Sequence, residues 1–419
     1  MADFSIPLSG LTASSTALAT ISNNLANLNT LGYKEANVTF SDLFYRNIGT
    51  SGDGDPMQVG AGTAVATIDS NFAAGSVEQT GLASDVAISG NGFFVTQKDG
   101  NYAYTRAGNF TVNSAGYLTA SDGSLVMGYS AVNGVISSNG GIGPLQVGQG
   151  QISSPKTTST AQVKVNLNSG AAVGDTPYTT PVTVYDSLGN SHVVTFQFSK
   201  TAANTWNYAV TVPSSDLSSG TGTDTTIASG TLNFDGNGKL ALPTDASGNP
   251  ETQLPINLTG LADGANDLSF DWQLQDSSGN GFLTQLASAS STASTYQDGF
   301  GSGTLQDFTI TSDGTIQGSF TNGNKVLGQV VLASFANTQG LSRDGGSNFR
   351  ETLASGQAVI GAPGTSGRGT LSGGSLENSN VDISTEFSKL IIAQRGFEAN
   401  AKAITTFDEV MQDTIQLKR

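Results

Sequence analysis

Residues 4–33 read FSIPLSGLTASSTALATISNNLANLNTLGY, a stretch without one charged side chain. A membrane span would need an almost unbroken apolar run, yet Asn23, Asn24, Asn27, Asn29 and many Ser and Thr interrupt this one. Its apolar residues keep heptad spacing instead. Phe4, Leu11, Leu18 and Leu25 form one row, with Ile21 and Leu28 three residues after its last two members. That spacing predicts a helix burying one stripe against a partner helix. The far end carries the matching pattern: Ile383, Leu390, Phe397, Ile404 and Met411 fall seven apart, flanked by Phe387, Ala401 and Ile415. Asp382 is placed as an N-cap, and Glu386 falls where the positive end of the helix dipole favours a carboxylate. Lys418 and Arg419 fall at the opposite end, where cations are favoured.

A closed pair of helices needs only one apolar seam on each and usually keeps charged outer faces. Here the other faces of residues 4–33 are Ala, Ser, Thr and Asn, which can be covered on several sides without stranding a charge. Such a helix suits close packing among many copies. Gly396, inside the second helix, costs about 1 kcal/mol relative to Ala unless it lets another backbone approach.

Between the two ends the pattern changes. From about 70 to 370, short β-branched and aromatic runs alternate with Asn-Gly or Asp-Gly pairs at 91–92, 99–100, 122–123, 235–236, 280–281, 313–314 and 322–323, which punctuate hairpins. Residues 182–198 read as two alternating strands about a Ser-Leu-Gly-Asn turn, and Trp206 with Tyr208 begins a third. A sandwich or small barrel fits these strands. The fold expected is mainly β, with two barrel- or sandwich-like domains nested between N- and C-terminal coiled-coil helices. Composition changes at 138–155, 287–295 and 361–375 divide it further. Residues 1–30 with 380–419 form the helical core, and 31–70 with 361–379 form connecting segments. Residues 71–145 with 285–360 form an inner β domain, and 146–284 an inserted outer one.

Acidic residues outnumber basic ones 33 to 17, for a formal net charge of −16, so clustered Lys and Arg for a nucleic-acid partner are missing and an anionic membrane is disfavoured. With no cysteine and one histidine, His192, the chain lacks the material for disulfides, thiol catalysis or an ordinary zinc centre. No G-x-S-x-G elbow occurs, and His192 reads as a structural or surface strand residue. Gly90-Asn-Gly92 reads as a hairpin rather than a dinucleotide loop, because Val95 stands where a third Gly belongs. Asn233–Gly238 resembles a calcium loop but has Thr244 in place of the closing Glu, so a turn is the better reading. No catalytic residue, cofactor or metal ligand is assigned. Carboxylate pairs or the two tryptophans leave a secreted β-rich adhesin or glycan-active protein as the rival from another class.

Ser9–Ala13 followed by residues 21–34 resembles the N-terminal signature of bacterial flagellar rod and hook axial proteins. Within it stand Asn23, Asn24, Asn27, Asn29, Thr30 and Gly32. Residues 376–382, with Asn380, Val381 and Asp382, and then Gln394, Arg395 and Asn400, are similar to the partner signature at the C-terminus. Residues 86–95 and 104–110 resemble the first β domain of the same proteins, and 184–192 with Trp206 the outer domain of their hook members. The distal rod and hook-associated members share these ends and are the nearest alternative, while the insertion resembles the hook members and the length suits a hook subunit better than the shorter distal rod protein. The resemblance implies a hook subunit that polymerises with itself into a curved, flexible tube, a universal joint carrying torque from rod to filament. It implies an extracellular location at the basal body, export without a cleaved signal by the flagellar type III apparatus, and contacts with the distal rod, hook cap and hook–filament junction proteins. The heptad residues would be the subunit-assembly positions. No catalysis, cofactor, nucleic-acid binding or membrane insertion is implied.

Overall fold

A computed structural model describes residues 4–417 apart from 52, 54, 133, 149, 150, 221 and 246. Helix α1 spans Ser5–Ala26 and α2 spans Ile383–Gln416. The α1 helix is shorter than the heptad run, since Phe4 occupies its cap position and Leu28 lies past its end. The Asn27 side-chain amide donates to the Asn23 carbonyl at 2.9 Å, and the Thr30 hydroxyl donates to Asn27 Oδ1 at 3.1 Å. Side chains that compete for backbone partners in this way favour helix ends over helix interiors. At the start of α2, Asp382 accepts from the Thr385 amide at 2.7 Å, the cap expected of it. Lys418 and Arg419 lie outside the described residues.

The two helices run antiparallel. Phe4 meets Phe407 edge-to-face at 5.9 Å between ring centres, Gly10 lies against Asn400, Ser14 against Gly396, and Asn24 reaches Glu386. Gly396 meets the Ser14 hydroxyl, 3.3 Å from where a Cβ would stand, rather than another backbone, and the tighter approach is at Gly10, where a Cβ would stand 2.7 Å from the Asn400 amide oxygen. Between α1 and the β body an antiparallel ribbon pairs Ala36–Asp42 with Thr63–Ser70, and Arg46–Thr50 with Pro56–Val59.

The chain divides into two compact units. The first comprises Met1–Gln149, Gln306–Ser319 and Asn324–Arg419, and the second Gly150–Leu305 with Phe320–Gly323. In the first unit a sheet runs, in hydrogen-bonded order, through Gly323–Val330, Leu125–Val132, Phe93–Lys98, Asn101–Thr105, Asn348–Arg350 and Ser342–Gly345. Phe93–Lys98 is buried on both faces. Phe94 joins Val86, Phe110, Leu118 and Leu332 on one side, while Phe93 and Val95 join Tyr104, Met127 and Phe349 on the other. That division is the two-residue period of a strand. The Asp99-Gly100 turn closes the expected hairpin, but Gly90–Gly92 does not. The strand before it, Val86–Ser89, pairs with Thr370–Gly373, so these glycines instead let the chain pass from one partner to another, with Gly90 packed on Gly369.

The second unit is a β-sandwich. One sheet holds Gln253–Leu258, Leu268–Gln273 and Thr160–Asn168, with Leu283–Leu286 and Ser291–Gln297 both on the last of these; the other holds Tyr178–Tyr185, Ser191–Ala202, Thr205–Val212, Thr225–Phe234 and Leu240–Ala241. Inward residues of both meet around Trp272, which packs on Phe196, Phe198 and Tyr208. Each such fully buried side chain contributes about 1.5–3 kcal/mol. Both tryptophans are core, and Trp206 donates to Gln285 Oε1 at 2.9 Å. The Ser/Ala/Thr stretch expected to mark a border at 287–295 lies mostly in Ser291–Gln297, a strand paired with Thr160–Asn168, so this unit runs on to Leu305.

Candidate assembly helices and their joint

The α-helices meet the β body through a buried polar joint. Lys34 is the first charge after the neutral stretch, and its ammonium lies 2.6 Å from Glu377 Oε1 with both side chains fully buried. It also donates to the Ala73 carbonyl at 2.8 Å, and Arg106 Nη1 approaches Glu377 Oε2 at 3.5 Å. Burial pushes both the Lys34 and the Arg106 cation below their ordinary values, against the opposing pull of Glu377. Just before Lys34, Gly32 (φ +65°) is pressed on the Arg106–Ala107 backbone, where any Cβ would collide.

A second cluster ties the helix pair to this point. Asn24 Nδ2 donates to Glu386 Oε2 at 2.9 Å and to the Ala36 carbonyl at 2.8 Å, while its Oδ1 accepts from Tyr33 Oη and the Ala36 amide. Lys389 Nζ bridges Glu35 Oε1 at 2.6 Å and Glu386 Oε1 at 2.7 Å. Burial opposes the Lys389 charge, but these two carboxylates hold its pKa above the ordinary value. Burial likewise works against the Glu35 carboxylate, and the bonds from Lys389 and Asn71 outweigh it and hold the pKa low. Asn380 completes the joint: it accepts from the Glu35 amide at 2.8 Å and donates to the Asn71 carbonyl at 2.8 Å. Every donor and acceptor of Asn24 is used, which makes this network rigid as well as polar.

The signature residues therefore separate into groups. Asn24, Gly32, Asn380, Val381 and Asp382 gather at the joint, whereas Asn23, Asn27 and Thr30 shape the end of α1 and Asn400 faces Gly10. Asn29, Gln394 and Arg395 are exposed, Arg395 pairing with Glu398. Glu386, read as a dipole partner, is also a buried acceptor in the joint. Tyr33, Glu35, Glu377 and Lys389 are joint residues that spacing alone did not select. The one local signal was Lys34, a lone charge ending a long neutral run.

Of the heptad positions, Ile21 is buried and Leu11, Leu18, Leu25, Leu28, Leu390, Phe397, Ala401, Ile404 and Met411 are half-buried. Phe4, Ile383, Phe387 and Ile415 remain exposed, and so do Ile391 at 57% and Ile392 at 73%. Beyond the point where Phe407 meets Phe4, Val410, Ile415 and Leu417 are exposed too. A groove of about 530 Å³ runs between the helices and the ribbon, lined by Ala13, Ala17, Ile21, Val38, Phe40 and Ala393 among others. The ribbon itself shows Phe40, Phe44 and Tyr45 to solvent. Large apolar side chains are therefore exposed on both the helices and the ribbon. No helix among the described residues is long and apolar enough to cross a membrane.

A β body carried on an antiparallel pair of terminal helices, with apolar sides left uncovered, defines an assembly subunit. Four family profiles match the chain in order: flagella basal body rod protein over residues 6–34, flagellar hook protein FlgE/F/G D1 domain over 87–168, flagellar basal body protein FlaE D2 domain over 158–300, and flagellar basal body rod FlgEFG protein C-terminal over 372–417. The flagellar hook protein FlgE of Borreliella burgdorferi is 35% identical over 98% of each chain, and that of Salmonella typhimurium is 35% identical over 99% of this chain and 100% of its own. A crystal structure of Helicobacter pylori flagellar hook protein FlgE2 aligns with a TM-score of 0.47 at 16% identity, over 70% of this chain and 98% of its own. The chain belongs to the flagellar hook protein FlgE family, structural proteins of the bacterial flagellum.

Proposed function

We propose that this chain polymerises with itself into the curved, flexible tube of the flagellar hook, transmitting torque as a universal joint and catalysing nothing. The observation that carries this reading is the apolar residues left uncovered on α2, Phe387 and Ile391 among them, with Ile392 and Phe40 exposed at the groove between α2 and the ribbon. Burying about 25 cal/mol per Å² of that surface favours association of copies. The heptad residues of both helices form the packing between copies. A division into helical, connecting and two β parts belongs to this proposal, with the inserted β part extended to residue 305. Low surface charge and abundant Ser, Thr and Asn suit wet contacts that slide as the tube bends. Contacts with the distal rod, hook cap and hook–filament junction proteins, export by the type III apparatus without cleavage, and an extracellular place at the basal body complete the proposal.

Phe387→Asp and Ile391→Asp test it, because both side chains are exposed in the single chain and the changes leave its fold intact. Circular dichroism unchanged from the unsubstituted chain, with tubes lost by electron microscopy, is expected. Normal tubes from both variants would refute assembly through this face. Straight tubes from the unsubstituted chain would assign it to the rod, and a deletion strain with rods but no hooks would assign it to the hook.

A further inference from the structure

The second unit holds the chain's single histidine against three carboxylates. His192 opens the strand Ser191–Ala202 and its side chain is only 6% exposed. Its Nε2 lies 3.2 Å from Asp186 Oδ2 and 3.5 Å from Asp263 Oδ2, and its Nδ1 lies 3.1 Å from Asp216 Oδ2. The three aspartates come from three separate connections, each with its other oxygen held in place. Asp186 Oδ1 accepts the backbone amides of Leu188, Gly189 and Asn190, Asp216 Oδ1 accepts the Ser215 hydroxyl, and Asp263 Oδ1 accepts the Ala265 amide. The remaining oxygen of each is thereby turned onto the ring. Asn190 Nδ2 spans the two on the Nε2 side, at 3.3 Å from Asp186 Oδ2 and 3.0 Å from Asp263 Oδ2.

Two features of this cluster exceed what a surface histidine needs. Among the described residues, no Lys or Arg pairs with any of these carboxylates, so even a protonated ring leaves an excess of negative charge around a fully buried Asp186. Buried charge left unneutralised is costly. Moreover, two carboxylate oxygens share one ring nitrogen, which carries at most one proton, at separations close to the edge of about 3.3–3.4 Å that a tetrahedral ion with bonds of about 2.0–2.1 Å requires. The opposite nitrogen already donates to Asp216, the arrangement that orients a metal-bound imidazole.

We propose that Asp186, His192 through Nε2, and Asp263 bind one divalent transition-metal ion of zinc-like preference, with water in the fourth position and Asp216 as the orienting acceptor. One imidazole and two carboxylates suit such an ion better than magnesium, which prefers all-oxygen sets. Asp263 is a quarter exposed and leaves an entry path. The ion takes the place of the Nε2 proton and ties two of these connections to the strand of His192, with the third held through Asp216, in a chain that has no disulfide.

Zinc titrated into the full-length monomer tests this, followed by calorimetry and by the imidazole resonances, which arise from one histidine only. One equivalent is expected to bind, to shift Nε2 while Nδ1 keeps its proton, and to raise the unfolding midpoint seen by tryptophan fluorescence, since Trp206 and Trp272 both belong to this unit. Asp216→Asn should weaken binding by about 10–100-fold. Asp263→Asn sits at the exposed rim, keeps the buried Asp186–His192 pair, and should lose zinc by more than tenfold while remaining folded. An imidazole signal unmoved by zinc, binding unchanged in Asp263→Asn, or magnesium binding as tightly as zinc would each overturn the proposal and leave a histidine that exchanges protons alone.

Discussion

Lys34 and Glu377 stand 343 positions apart in the chain and meet at 2.6 Å without solvent. Replacing Lys34 by Met leaves the buried Glu377 carboxylate with Arg106 as its nearby cation and the Gly75 amide as a donor at 2.9 Å, and such half-broken pairs cost about 3–5 kcal/mol. Chemical denaturation of Lys34→Met followed by far-ultraviolet dichroism should show that loss; a change below about 1 kcal/mol would mean water replaces the ammonium. Glu35 gives the pH dependence of the same joint. Its carboxyl is held below the ordinary 4.5, so its contribution is complete above that pH and disappears as pH falls through the lower folded value. Helical ellipticity should therefore melt progressively earlier on acidification below 4.5, and Lys389→Met should flatten that slope by removing the partner. Equal slopes in both proteins would show that other carboxylates govern acid unfolding. None of these pairings is visible locally, because a charge shows its partner only when folding brings distant segments together.

At the scale of elements, α1 and α2 were legible in the sequence because a helix writes its buried stripe at a fixed spacing within one segment. Their caps were less so. Asp382 follows a local rule and caps α2 as expected, but the end of α1 depends on Asn27 and Thr30 turning back on the chain. Sequence spacing also could not say which stripe faces the partner helix and which faces a neighbour, since both are apolar. Leu18 and Ile404 are half-buried, and an aspartate at either would meet the helix pair and its packing among copies. Leu18→Asp and Ile404→Asp are expected to abolish tube formation seen by electron microscopy while the tryptophan emission of the second unit stays native. Normal polymer from both variants would sink the inner-seam assignment. Gly90–Gly92 failed as a hairpin for the complementary reason: the turn signal is local, but the partner strand Thr370–Gly373 comes from the other end of the chain.

For the whole molecule, the helices join the β body of the first unit by a joint rather than a large apolar core, and apolar residues on their outer sides stay uncovered. Isolated helices of this kind order weakly until covered. Limited proteolysis of a verified monomer should cut first in the parts of α1 and α2 that lie beyond the joint, the N-terminal part of α1 and the C-terminal part of α2, while tryptophan-reported structure survives; helices as resistant as the β units would show that ordering precedes assembly. The second unit's core is drawn from both of its sheets within one continuous stretch, apart from a four-residue return, which is why its strands and its Ser-Leu-Gly-Asn turn could be read in advance. Its far border could not, because Ser291–Gln297 has the Ser/Thr composition of a linker and becomes a strand only by pairing with Thr160–Asn168. By itself the sequence determined the helical ends, the β middle, the family signatures and the absence of thiol chemistry, since each is written in composition or in short-range period. Only the tertiary structure decided the buried Lys34–Glu377–Arg106 joint, the side of α2 left uncovered and the three aspartates gathered on His192. Those depend on contacts between segments whose separation along the chain bears no relation to their distance in space.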